Sequence, residues 1–285
     1  MDKQKRTLGE WPRHGIQAFW ALLTNSHIVG FLNGKIYRGD LKKICVPGLN
    51  CYSCPGAVGA CPIGAIQAVV GSWNFKFAYY VIGFLIFIGS MIGRVVCGFL
   101  CPFGLIQDLL HKIPFPKKIR TFRGDKILRK LKYVIFLVFV ILLPLFVVDI
   151  VGQGAPYFCK LICPAGTLEG GIPLVLLNRG MRNAIGWLYA WKSVILVVTI
   201  VLSILIYRPF CKYICPLGAF YSVFNPISIF RYRVDEVKCV HCGKCAKACQ
   251  MQVNPVENAN DMECIRCGRC KTVCPTQAIS CGVKW

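Results

Sequence analysis

The sequence predicts an all-α polytopic membrane domain of four transmembrane helices, built as two parallel two-helix repeats and followed by a small α+β domain. Three observations carry this. Hydrophobic types make up 55% of the 285 residues and charged types 16%, with mean hydropathy +0.55. Four Cys-Pro-x-Gly motifs recur along the apolar part, and the C-terminal part holds two copies of one cysteine run. The membrane domain is expected over residues 1–232, with repeats at about 14–125 and 130–232, and the second domain over 233–285.

Residues 75–96, 131–151 and 191–207 are each apolar enough to cross a bilayer core of about 30 Å. A fourth span is expected at about 15–33, although Thr24, Asn25, Ser26 and His27 interrupt it. Basic residues crowd the N-terminal tail (Lys3, Lys5, Arg6, Arg13), the 112–132 loop and the C-terminal part. That bias puts both termini in the cytoplasm of a multi-pass protein of the cytoplasmic membrane. No cleavable leader is expected, because the first apolar stretch lacks a short core followed by small residues. The net charge of +22 reads as positive-inside loops against anionic lipid, not as a nucleic-acid surface.

The repeats are defined by C-P-I-G-A-I-Q at 61–67, C-P-F-G-L-I-Q at 101–107, C-P-A-G-T-L-E at 163–169 and C-P-L-G-A-F-Y at 215–221. Cys97, Cys159 and Cys211 stand four residues before three of them, and Ala57 takes that place before the first. The match extends upstream, from Arg94 in R-V-V-C to Arg208 in R-P-F-C. Two i, i+4 pairs facing each other across a two-fold axis supply four thiolates, so Cys97, Cys101, Cys211 and Cys215 are expected to hold a cubane iron–sulfur cluster on the inner face. On the outer face Cys159, Cys163, Cys61, Cys54, Cys51 and Cys45 compete for four places. A cluster shared by Cys159, Cys163 and Cys61 with Cys51 or Cys54 is one solution. A self-contained cluster on Cys45, Cys51, Cys54 and Cys61 is another, and disulfides are a third.

The C-terminal runs are C-V-H-C-G-K-C-A-K-A-C from Cys239 and C-I-R-C-G-R-C-K-T-V-C from Cys264. In such C-x2-C-x2-C-x3-C runs three cysteines hold one [4Fe–4S] cluster and the fourth crosses to the other. The assignment is Cys239, Cys242, Cys245 and Cys274 for one cluster, and Cys264, Cys267, Cys270 and Cys249 for the other. Paired zinc knuckles would leave a cysteine of each triplet idle. Iron through these cysteines is thus the implied metal, in two clusters here and two more in the membrane domain.

There is no Cys-x-x-Cys-His haem attachment, no Walker loop and no dinucleotide fingerprint. His27 alone of His14, His27, His111 and His241 lies within an expected span. A quinone site would draw its proton acceptor from Asp149 or Glu169 toward the outer face, or from Asp108 or His111 toward the inner.

The Cys-x3-Cys-Pro repeats joined to a two-cluster ferredoxin run resemble the membrane quinol dehydrogenase component of periplasmic nitrate reductase systems, the NapH type. Regulators of nitrous oxide reduction share the motifs. The resemblance covers about residues 15–280. It implies an electron-transfer subunit of an oxidoreductase complex, passing electrons between quinol, redox subunits on either side of the membrane and extracytoplasmic reductases. The cysteines from Cys45 to Cys61 and the pair Cys159 and Cys163 depart from the simplest pattern. The expected function is a relay between the ferredoxin module and the quinone pool or an extracytoplasmic acceptor; a redox-sensing membrane regulator is the other reading.

Overall fold

The computed structural model describes residues 11–72, 78–149, 153–183 and 185–283. Its organising rule is that a Cys-Pro motif starts a helix. Cys61, Cys101 and Cys215 are extended N-cap residues, and Pro62, Pro102 and Pro216 open the helices Pro62–Val70, Pro102–Lys112 and Pro216–Phe224. Proline costs nothing there, since the first turn has no internal acceptor for its missing N–H. The motif glycine falls in the third helical place, where its N–H meets the capping sulfur: Gly104 donates to Cys101 Sγ and Gly218 to Cys215 Sγ, both at 3.4 Å.

The expectation of four spans is overturned. Among the described residues one helix, Trp187–Leu205, has the length and apolarity to cross a membrane, at 19 residues and hydropathy 2.2. It would rise about 28 Å. Helix Ala78–Ile92 has 15 residues, about 22 Å, and stops at Gly93 (φ 53°) because Arg94 turns inward to be fully buried. The start of the expected 75–96 span lies outside the described residues. Within 131–151 the helix runs in segments of 5, 7 and 4 residues, the middle one wound as a wider π-helix, and ends at Phe146. Its first turn is held by protein: Lys132 is fully buried and donates to Glu263 at 2.5 and 2.6 Å. The 15–33 stretch breaks into Trp11–Thr24 and Ile28–Asn33 where Asn25 Nδ2 folds back onto the Ala21 carbonyl. The repeat is therefore a repeat of cysteine-capped turns, not of spans.

Trp187–Leu205 lies along Pro102–Lys112, and Pro62–Val70 along Ala78–Ile92. Their shared core is unusual in composition: Cys45, Cys61, Cys97, Cys101, Cys163, Cys211 and Cys215 are buried with Phe158, Phe210 and Tyr221. The C-terminal module is α+β as expected. Strand β1 (Phe230–Val234) pairs antiparallel with β2 (Ile279–Val283), and helices Lys244–Ala248 and Arg269–Thr272 lie between them in the chain. The module is docked, not tethered. Arg266, 1% exposed, donates to the carbonyls of Ile92 at 3.1 Å and Asn225 at 2.7 Å, and Asn225 Nδ2 returns to the Asp261 and Cys264 carbonyls.

Candidate metal centres

In the module the two cysteine runs fold into matching loops. Equivalent residues take the left-handed conformation in each: His241 and Arg266, Gly243 and Gly268, Gln252 and Gln277. Such a backbone turns successive N–H groups toward the enclosed sulfurs. Val253 N–H donates to Cys249 Sγ at 3.4 Å, and Ala278 N–H, its equivalent, to Cys274 Sγ at 3.3 Å. Two small cavities of near-equal size result, about 20 and 30 Å³. Cys239, Cys242, Cys245 and Cys274 line one, and Cys249, Cys264, Cys267 and Cys270 the other, so each quartet expected from spacing faces a common space. The fourth cysteine of each run lines the cavity of the other run.

The turns of the repeats make two further gatherings of thiols. Cys97, Cys101, Cys211 and Cys215 form one. Burial raises the Cys215 thiol, and Cys211, Cys97 and Cys101 raise it further. Cys101 is pushed up to about 12, by burial first and then by Cys211 and Cys97. Thiols held this high do not ionise alone, so they suit a cation core that takes them as thiolates. Arg94 and Arg208, the two upstream matches, are fully buried beside them. Arg208 donates to the Cys97 carbonyl at 2.5 Å and forms a fork with Asp108 at 2.6 Å on both oxygens. Arg94 Nε and Nη2 are buried without a nitrogen or oxygen partner, and the guanidinium approaches Cys97. Orphaned cationic donors beside clustered thiols fit a thiolate-ligated cluster whose net charge, ligands included, is negative.

The other gathering lies around the later pair. Cys163 feels Cys159, Cys51 and Cys61, and Cys61 feels Cys159 and Cys51. Cys54 is felt by Cys51 and lies by Glu169 and Lys42, and Cys45 stands apart, near Tyr221. The self-contained set of Cys45, Cys51, Cys54 and Cys61 is not what the fold assembles. All the cysteines are free in this structure. No three His, Cys, Asp or Glu side chains among the described residues are arranged to hold a single metal ion.

A feature that sequence reading missed is common to the two gatherings. The seventh residue of each Cys-Pro motif reaches across to the other half. Gln107 Nε2 donates to Cys211 Sγ at 3.1 Å while its Oε1 accepts the Phe210 N–H at 3.2 Å. Gln67 repeats this on Cys159 Sγ at 3.3 Å and the Phe158 N–H at 2.9 Å. Glu169 accepts the Cys51 N–H at 2.7 Å and is raised to about 7 by burial, which that N–H partly opposes. Tyr221 lies against Cys97, Cys45 and Cys101 and donates to the Pro47 carbonyl at 3.1 Å. The signal was present in the sequence as the aligned Gln, Gln, Glu and Tyr.

The loop from Cys45 to Cys51 spans both gatherings. Leu49 N–H faces Cys101 Sγ, a Cβ on Gly48 would lie 2.7 Å from the Leu100 carbonyl oxygen, and Cys51 belongs to the second group. Of the groups proposed for quinone chemistry, Asp108 is locked between Arg13 and Arg208, Glu169 is half-buried on the Cys51 amide, and Asp149 is exposed. The His111 ring meets the Ser203 carbonyl at 3.3 Å, and burial, with Lys118, lowers its pKa.

Residues 59–78, 77–123 and 189–232 match one family of 4Fe-4S binding domains, and residues 259–280 match a second. The chain is an iron–sulfur protein of the polyferredoxin type. This polyferredoxin is 28% identical to the putative electron transport protein YccM of Escherichia coli, over 60% of its length and 45% of the relative's. It is 24% identical to the methylamine utilization ferredoxin-type protein MauN of Paracoccus denitrificans, over 75% and 66%. With the regulatory protein NosR of Stutzerimonas stutzeri it shares 26% identity over 55% of this chain and 20% of that one, in line with the resemblance to nitrous oxide regulators. The polyferredoxin spans about half the length of the curated relatives it matches. No solved structure matches it.

Proposed function

We propose that this polyferredoxin is a membrane-attached electron-transfer subunit that carries electrons through four [4Fe–4S] sites in a row. A [4Fe–4S] cluster supplies reversible storage of one electron. The chain's own residues supply the order. The cavity of Cys239, Cys242, Cys245 and Cys274 is the outermost, with Cys242, His241 and Val240 exposed. The cavity of Cys249, Cys264, Cys267 and Cys270 comes next and abuts the Cys97 turn, where a Cβ on Gly98 would lie 2.5 Å from the Ile265 carbonyl oxygen. The Cys97, Cys101, Cys211 and Cys215 group follows, and the Cys51, Cys61, Cys159 and Cys163 group is last. This continuous adjacency is the observation that carries the reading, because flux requires neighbouring sites whereas a sensor needs only one. The similarity to YccM, a putative electron transport protein, supports it.

A soluble or peripheral redox partner meets the exposed first site. The last site serves a quinone or an extracytoplasmic redox subunit. The apolar helix Trp187–Leu205 attaches the protein to the membrane. Iron and acid-labile sulfide in the purified protein test the reading. We expect about sixteen irons per chain, and Cys97→Ser should remove about four while leaving the module's signals intact. About eight irons would confine clusters to the module and end the proposal.

A further inference from the structure

A cavity of about 300 Å³ lies where helix Pro102–Lys112, the end of Trp187–Leu205, the N-terminal helix and the module meet. It belongs to none of the thiol sites. Five permanent cations line it (Arg13, Lys112, Lys118, Arg120 and Arg269), against one carboxylate, Asp108. That carboxylate is paired with Arg13 and offers the two lysines little. Both its oxygens are taken by Arg208 at 2.6 Å, and Arg13 adds a contact at 2.8 Å. Lys112 and Lys118 form no ion pair with a carboxylate among the described residues; they rest on His14 Nδ1 at 3.2 Å and on the His111 carbonyl. Arg120 donates to the Lys247 carbonyl at 3.3 Å.

We propose that this cavity binds a phosphate-bearing ligand. Like charges gathered this closely repel at any realistic dielectric, and a dianion among them removes the repulsion while using the forked arginine donors. One further feature fits. Ile119, Ile206 and Tyr207 give the cavity an apolar wall for the body of the ligand. The same phosphate chemistry has two sources. Ile206 directly follows the membrane-capable helix, which is headgroup level for an anionic phospholipid, whereas a free phosphate compound would enter from solvent. The cavity reaches Tyr207, which lies within electrostatic range of Cys267, so its occupant adds negative charge near the second module site.

The test uses the full chain with its clusters, in uncharged detergent. Lipid phosphorus retained through purification and calorimetric binding of pyrophosphate are measured for the wild type, Lys112→Ala/Lys118→Ala and Lys112→Arg/Lys118→Arg. The alanine pair should lose tenfold or more in affinity or retained phosphorus; the arginine pair should keep both, and cluster absorbance should be unchanged in each. Retained phosphatidylglycerol without pyrophosphate binding assigns the site to lipid, and pyrophosphate binding assigns it to a free phosphate compound. Equal phosphorus and equal affinity in all three proteins would overturn the proposal. So would binding of a neutral quinone analogue or of an acidic protein with no phosphate dependence. None of these readouts depends on whether the Cys97 and Cys51 groups hold iron.

Discussion

Gln67 and Gln107 are the residues whose role the sequence could have disclosed and did not. Each presents Nε2 to a cysteine sulfur and Oε1 to the amide just before that cysteine, so one side chain fixes both the thiolate and its turn. A hydrogen bond to a thiolate favours the more negative, reduced state of the centre it serves. Gln107→Leu should therefore lower the potential of the Cys97-group centre by about 40 mV, the equivalent of one hydrogen bond of about 1 kcal/mol. A redox titration followed by electron paramagnetic resonance reads this, and an unmoved potential would remove Gln107 from the role. Cysteine spacing was legible because each ligand set is written in short runs. Choosing Cys51 over Cys54 was not, since they differ only in how a long loop folds against Glu169 and Lys42.

Elements here are joined by buried acid hubs, a scarce resource in a chain with 12 acids against 34 bases. Glu263 holds Lys132 and Arg94, Asp125 holds Arg129 and Lys212, and Asp108 holds Arg13 and Arg208. Asp108→Asn keeps the shape but leaves two buried guanidinium groups without a counter-charge, a loss of about 3–5 kcal/mol. Burial works to raise the Asp108 pKa, but Arg208 overrides it and holds the carboxyl far below the ordinary range. Its contribution is thus fully present above about pH 4 and declines as the pH falls below that. Wild type and Asp108→Asn should differ by a constant margin in thermal unfolding between pH 5 and 8, and converge in strong acid. The Gly98 turn works differently, by contact. Gly98→Ala sets a methyl group against the Ile265 carbonyl, which should cost about 1–3 kcal/mol and loosen the module toward limited proteolysis. These couplings explain why apolar runs misled at this scale. Hydropathy counts Ala78–Ile92 and the 131–146 stretch as lipid-facing, but Arg94 and Lys132 at their ends are claimed by Glu263 in the module.

At the scale of the molecule, the two matching cysteine loops were readable while the number of spans was not, because cysteine spacing is local and span length depends on where partners end a helix. The remaining long apolar helix, Trp187–Leu205, predicts that the protein stays with membranes through high-salt and alkaline washing; recovery in the supernatant would contradict membrane attachment. One short piece of chain bears on how the whole molecule conducts. Leu49 faces the sulfur of Cys101 and Cys51 stands among the second group, with a single residue between them. Two peptide steps span at most about 7 Å, so the distance from the Leu49 amide to Cys51 is set by covalent bonds, while the approach of that amide to the Cys101 sulfur is set by packing. The two thiol groups stay close for as long as the loop stays seated on Cys101. Lengthening the loop by inserting residues after Leu49 is then the mutation that should break conduction while every cysteine stays in place.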